Sequence, residues 1–114
     1  MKFYTKVFKH NFDVKRSSKN VEKTYQMQLA FAEASEADKK DPYSAKKWQR
    51  ELDLRKKLRD YTIELLHLNG ADIKALDNAD DDAVVKMETH LQMRMMGYSE
   101  EDIKRIGEDT DTKK

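Results

Sequence analysis

The chain has 114 residues, with 23 Lys and Arg against 22 Asp and Glu. This length allows one domain with a modest core, and the even charge argues against a dedicated nucleic-acid-binding protein. The absence of cysteine excludes a disulfide framework and thiolate chemistry. No apolar run reaches the roughly 18 residues of a membrane span, and residues 1–6 lack the apolar core of a signal peptide. We therefore expect a cytoplasmic protein that makes no membrane contact.

The first fifteen residues predict a short β-hairpin. Strand-forming residues alternate over Phe3 to Phe8, His10-Asn11 can turn the chain, and the alternation resumes at Phe12 and Val14. A hairpin of two short strands is marginal alone and leaves a free edge. We expect it to pack on a helix and to support self-association.

A first helix is predicted from the N-cap candidates Ser17-Ser18 to about Ala37, followed by a charged loop over Glu36 to Asp41. Its apolar residues form two adjoining stripes. One contains Val21, Tyr25, Leu29 and Ala32, and the other contains Met27, Phe31 and Ala34. Either both stripes face the core, or one faces the core and the other a partner.

The strongest core signal is a long helix over Ser44 to Leu68. Asp41 can cap it with Pro42 in its first turn, and Asn69-Gly70 can end it, with Gly70 left-handed. Spacings of three and four place five residues on one stripe, namely Leu54, Leu58, Tyr61, Leu65 and Leu68. Ala45, Trp48 and Leu52 lie on a different face. We expect Leu58→Ala and Leu65→Ala each to destabilise the fold.

The remaining chain predicts a short turn over Ile73 to Leu76 and two more helices. Asp80-Asp81-Asp82 opens a helix that Gly97 stops, with a stripe of Val84, Met87, Leu91 and Met95. Ser99 to Asp102 resembles a capping box for a last helix that ends at Gly107. The predicted fold is mainly α, a small domain of about four helices over residues 1–107 with a short N-terminal β-strand or hairpin. Residues 108–114 are expected to form a flexible tail.

No residue pattern indicates catalysis or a cofactor. Glu64 and His67 have the Glu-x-x-His spacing of di-iron bundles, but those sites need the motif twice and two further carboxylates. The run Asp80 to Asp82 lacks the later Gly and Glu of a calcium loop. We expect no catalytic, cofactor-binding or metal-binding residues.

A basic cluster on the long helix offers a candidate nucleic-acid surface. It consists of Arg55, Lys56, Lys57 and Arg59, but carboxylates interleave with it. A binding stripe should carry one sign of charge, so a solvated face is the favoured interpretation.

Four apolar residues off the main stripes are candidates for a partner surface: Met27, Phe31, Trp48 and Met93. Methionine fills irregular cores but also forms adaptable binding surfaces, and aromatic residues concentrate binding energy. If these four are core residues instead, their replacement should reduce stability first.

Three segments resemble the small tail assembly chaperones of long-tailed, siphovirus-type bacteriophages of Gram-positive bacteria. They are Lys2 to Lys6 with Asp13 to Lys15, the capped helix start Ser18 to Tyr25, and the ending Gly97 to Ile103. The similarity covers most of residues 2–106 and rests on helix patterns and caps.

The resemblance implies a non-enzymatic chaperone that binds the phage tape measure protein before the tail tube assembles. It implies work in the host cytoplasm, absence from the mature virion and many copies, hence a homo-oligomer. Members are often made in two forms, and a ribosomal frameshift gives the longer form an extension that binds the tail tube protein. Two other functions stay open: a phage or bacterial helical adaptor that only self-associates, and a small helical nucleic-acid-binding module.

Overall fold

A computed structural model describes residues 1–112 of the chain, and the side chains of residues 1–106. The fold is mainly α, as predicted: five helices follow a two-stranded antiparallel sheet in the described chain. The elements are β1 (Lys2–Thr5), β2 (His10–Asp13), α1 (Ser18–Lys40), α2 (Ala45–Leu66), α3 (Gly70–Asn78), α4 (Asp81–Met95) and α5 (Glu100–Thr112).

The predicted hairpin is confirmed, but its turn lies at residues 6–9. β1 ends at Thr5, and His10 already belongs to β2, where it pairs with Thr5. The Thr5 hydroxyl accepts from the Val7 amide at 3.1 Å, and the Lys9 amide donates to the Thr5 carbonyl at 3.0 Å. These bonds close the loop before the expected His10-Asn11 turn, and Lys9 takes a positive φ of 60°.

The inner face of the hairpin covers the helices. Phe3 pairs with Phe12 across the sheet, and both rings are buried together with Val14. The Phe3 ring meets His90 of α4 edge to face, with centroids 5.1 Å apart. The hairpin thus belongs to the single hydrophobic cluster of the described residues. This cluster also contains Leu68, between α2 and α3, and the helical residues Met27, Tyr61, Leu65, Leu66, Leu76, Met87, Leu91 and Met95.

The two predicted apolar stripes of α1 do not both face the core. Ser17 caps the helix as predicted, accepting from the Asn20 amide at 3.2 Å. The buried face carries Thr24 and Met27, whereas Tyr25 is about half exposed. A 2.6 Å hydrogen bond joins the Thr24 hydroxyl to the Tyr61 hydroxyl inside the core and fixes this orientation. The stripe of Val21 and Tyr25 is therefore not the core face.

The predicted span of α2, Ser44 to Leu68, lies close to the observed Ala45–Leu66, but the capping residues predicted at its two ends were wrong. α1 continues to Lys40 through the expected loop, and Ser44, not Asp41, is the N-cap residue of α2. The helix ends at His67, which adopts the left-handed conformation expected of Gly70 (φ 51°). Asn69 instead caps α3, accepting from the Asp72 amide at 2.8 Å. α3 is a nine-residue helix where only a turn was expected.

The leucine stripe of α2 is core only in its C-terminal half. Tyr61, Leu65 and Leu68 are buried as predicted, but Leu54 and Leu58 are only partly buried. Thr62 is fully buried, since its hydroxyl bonds the Leu58 carbonyl at 2.8 Å and the Glu88 carboxyl at 3.0 Å. α2 therefore leaves the core near Leu58.

The caps that flank α4 match the sequence. Asp80 accepts from the Ala83 amide at 3.4 Å, and Gly97 ends the segment with a φ of 102°. The Ser99 hydroxyl accepts from the Asp102 amide at 3.0 Å, and the Asp102 carboxylate accepts from the Ser99 amide at 3.1 Å. This reciprocal pair is the predicted capping box, and it lowers the pKa of Asp102.

The end of α5 differs from the prediction. Its backbone passes Gly107 and stays helical to Thr112, so most of the expected tail of residues 108–114 continues the helix. Residues 113–114 lie outside the described residues.

We expect Ser99→Ala to weaken α5 by about 0.5–2 kcal/mol, because the first turn loses its hydroxyl acceptor. α5 is joined to α4 through Glu100, whose Oε1 lies 2.6 Å from His90 Nε2 and 3.2 Å from Arg94 Nε. Amide hydrogen exchange measured by NMR should accelerate in α5 and not in α2. Ser99→Thr keeps the hydroxyl and is the control. Unchanged α5 exchange in Ser99→Ala would remove the capping box as a stabilising element.

Candidate partner-binding groove

Helices α1 and α2 extend beyond the core as an arm. Within the described chain, no residue from 28 to 60 is buried, whereas the core residues lie on either side of this range. The two helices of the arm are tied by an ion pair between Arg50 and Asp38 at 2.7 Å. Several large apolar side chains of the arm stay half or more exposed: Leu29, Tyr43, Trp48 and Leu52.

A groove of about 790 Å³ separates the arm from α4. Its apolar walls come from one residue of α1, several of α2, the far side of α4 and the loop after it. They are Phe31, Leu52, Leu54, Leu58, Val84, Val85, Met93, Met96 and Tyr98. Val85, on the wall formed by α4, is 45% exposed. Side chains bridge α2 and α4 along the groove, at Arg55–Asp81 and at Thr62–Glu88.

Ion pairs close one side of the groove. The Arg59 guanidinium donates two hydrogen bonds of 2.9 Å to the Asp77 carboxylate, and Arg55 donates to Asp81. These guanidinium groups lower the pKa of Asp77 and of Asp81. Two of the four cations of the predicted basic cluster are therefore already paired with carboxylates, which favours the solvated-face interpretation.

The base of the groove is polar and buried. Glu88 and Gln92, one turn apart on α4, are each 5% exposed. Thr62 donates to Glu88 Oε2 at 3.0 Å, and the Gln28 amide donates to Gln92 Oε1 at 2.6 Å. Burial raises the pKa of Glu88. Sequence reasoning missed these residues because it followed the apolar stripe of α4. The sequence did carry one signal for them, because each directly follows a residue of the apolar stripe, Met87 or Leu91.

Glu88→Gln should gain stability relative to the parent at pH 7 and lose that gain near pH 4. The folded-state pKa of Glu88 is raised, so its neutral form is favoured by folding. Glu88 therefore contributes fully to the stability of the parent below the ordinary glutamate pKa of 4.5, and this contribution is lost as the pH rises through the folded-state pKa. Glutamine does not titrate and keeps an acceptor for Thr62. Urea melts of both proteins at pH 4 and pH 7 measure the difference, and a pH-independent difference would contradict the burial argument.

The four predicted partner residues occupy three environments. Phe31 of α1 and Met93 of α4 both line the groove. Trp48 is 66% exposed and lies one helical turn from Leu52, which lines the groove. Met27 is different: it is 6% exposed and packs in the core beside Thr24. Met27 therefore has the core role that was the alternative for all four residues.

The two residues of the Glu-x-x-His pair lie at the C-terminal end of α2. Glu64 forms an ion pair with Lys23 of α1, which lowers the pKa of Glu64, and His67 is the exposed C-cap residue of α2. Among the described residues, no group of three or more His, Cys, Asp or Glu is arranged to hold a metal ion. None of the helices in that part of the chain is long and apolar enough to cross a membrane.

Searches of curated proteins and of solved structures found no match. The family model of phage tail assembly chaperone proteins, TAC, matches residues 1–112. This match covers nearly the whole chain and agrees with the resemblance drawn from the hairpin, the α1 cap and the capping box. The chain therefore belongs to the phage tail assembly chaperone family, which gives it a chaperone role in tail assembly inside the infected host cell.

Proposed function

We propose that the protein binds the phage tape measure protein through the groove and keeps it soluble until the tail tube assembles. The observation that carries this proposal is an open apolar groove on a small protein whose core is complete without it. An open apolar groove with a few polar groups at its base has the make-up of a binding site.

An α-helix of the partner suits this groove. Its walls are themselves helices, and an amphipathic helix can lay its apolar face between them. The family resemblance implies that the tape measure protein is a long apolar helical chain, which would aggregate while uncovered. Trp48, one turn beyond Leu52, extends the apolar surface along the arm.

Adaptable side chains favour a chaperone over a partner with one fixed sequence. Met93 and Met96 line the α4 wall, and the flexible thioether chain accommodates different neighbours. A chaperone that covers successive segments of one long protein needs this tolerance. The proposal therefore includes several copies of the protein on each tape measure chain.

Self-association through the hairpin is a further part of the proposal. The Val14 amide bonds the Met1 carbonyl at 2.7 Å, so alternation places the Lys2 and Tyr4 amides on the side of β1 away from β2. Such amides can pair with another chain. Sedimentation of the purified protein tests for the oligomer. The frameshifted form that binds the tail tube protein, the cytoplasmic location and absence from the mature virion stay predictions from the family resemblance.

Co-expression tests the proposed function. The tape measure protein of the same phage is produced alone and together with this chaperone, and its soluble fraction and co-purification are measured. The proposal predicts an insoluble tape measure protein alone and a soluble complex with the chaperone. Equal solubility in both cultures, without co-purification, would contradict it.

A further inference from the structure

Glu88 is a buried carboxyl group at the base of the groove, and it lacks a cationic partner among the side chains that the structure describes. Glu88 is 5% exposed, and among the described residues its carboxyl group has one hydrogen-bond partner, the Thr62 hydroxyl at 3.0 Å. Burial of a carboxylate without a cation is unfavourable. A glutamine at this position would accept the hydrogen bond from Thr62 without that cost. An ionisable side chain here therefore indicates a role that glutamine could not serve.

The cations near Glu88 do not supply the explanation. Arg55 favours the charged form of Glu88 from a distance, but its guanidinium is hydrogen-bonded to Asp81 on the rim. The neighbouring Gln92 has its Oε1 engaged by Gln28. The base of the groove thus offers a carboxyl group that lies between apolar walls. The arginines at the edge of the groove are already paired with other carboxylates.

We infer that the groove takes an amphipathic helix whose apolar face carries one lysine or arginine, and that Glu88 binds that cation. This inference rests on the proposed function and names the chemistry of the tape measure segment. The long aliphatic stem of a lysine or arginine packs along apolar walls while its charged end reaches a carboxylate. A charge-assisted hydrogen bond in a water-poor groove is strong and directional. It would set the register of the bound helix, since an apolar residue opposite Glu88 leaves the carboxylate unpaired.

Peptide binding tests the inference. Overlapping 20-residue peptides that cover the tape measure protein are arrayed and probed with the full chaperone, and the strongest binders are measured in solution by fluorescence anisotropy. We expect them to carry a lysine or arginine within an apolar helical face. Glu88→Gln should weaken their binding at least tenfold. Replacement of that basic residue by methionine should weaken binding to the parent similarly, with no further loss in Glu88→Gln.

The matched control is Glu22→Gln, which neutralises an exposed carboxylate of α1 that does not line the groove. Its affinity should stay within twofold of the parent, and a thermal melt of Glu88→Gln shows that the fold is kept. Binders without a basic residue, or equal affinity of Glu88→Gln and the parent, would overturn the inference while leaving the proposed function intact. If no peptide binds and co-expression gives no soluble complex, both are wrong.

Discussion

Leu65→Ala should lower the free energy of unfolding by about 2–5 kcal/mol, the range measured for buried leucines replaced by alanine. Leu65 is 1% exposed and packs in the one hydrophobic cluster that joins the hairpin to the helices. The cavity left by its side chain would be enclosed by that cluster. Because stability of a small domain is typically only about 5–15 kcal/mol, such a loss removes a large share of it. Urea melts of the parent and the mutant measure the change.

Two other leucines of α2 provide graded controls. Leu58 is partly buried against the core and lines the groove, so Leu58→Ala should still destabilise the fold but cost less than Leu65→Ala. Leu52 is 53% exposed, so Leu52→Ala should stay within about 0.5 kcal/mol of the parent. If Leu65→Ala melts like Leu52→Ala, the C-terminal half of α2 is not core.

A charge placed in the groove should abolish chaperone activity while the fold is kept. Val85→Asp and Leu52→Asp each place a carboxylate on a groove wall at a position that is 45% and 53% exposed. Partial exposure limits the loss of stability, whereas an apolar helix would have to desolvate the new charge. In co-expression, we expect the tape measure protein to be insoluble with either variant, the same result that the proposed function predicts without the chaperone.

Leu29→Asp is the matched control for these variants. Leu29 is an apolar residue of α1 with 59% exposure, but it does not line the groove. It should melt near the parent temperature and still keep the tape measure protein soluble. Phe31→Asp and Met93→Asp change the two sequence-predicted residues on the groove walls. Each should abolish chaperone activity, as expected for Val85→Asp. The groove assignment is wrong if Leu29→Asp loses activity and Val85→Asp keeps it.

Local sequence signals predicted the elements whose stabilising contacts are local. The Ser17 cap, the Asp80 cap and the Ser99 capping box depend on side chains within three residues, and all three were confirmed. The end of α2 was wrong because a histidine took the left-handed position that glycine usually occupies, which left Asn69 free to cap α3. From residue type alone, Gly70 was the expected left-handed residue at the end of α2.

The groove could not be derived from the sequence, because it depends on where two helices separate. Leu54, Leu58 and Leu65 share one stripe of α2, and periodicity gives them the same role. Their burial differs because the hairpin, α1 and α4 surround only the last part of the stripe. Met27 and Phe31 similarly belong to one stripe of α1, yet Met27 is core and Phe31 lines the groove.

Site-specific photo-cross-linking tests most directly whether the groove holds the tape measure protein. Tyr98 lines the groove and is 42% exposed, while Tyr4 lies on the hairpin and is 53% exposed. Each tyrosine is replaced in turn by p-benzoylphenylalanine, whose additional benzoyl group can extend into solvent at these partly exposed positions, and the chaperone is irradiated in cells that produce the tape measure protein. The groove account predicts a cross-linked tape measure product from position 98 and none from position 4. A product from position 4 alone, or from neither position while the complex still co-purifies, would contradict it.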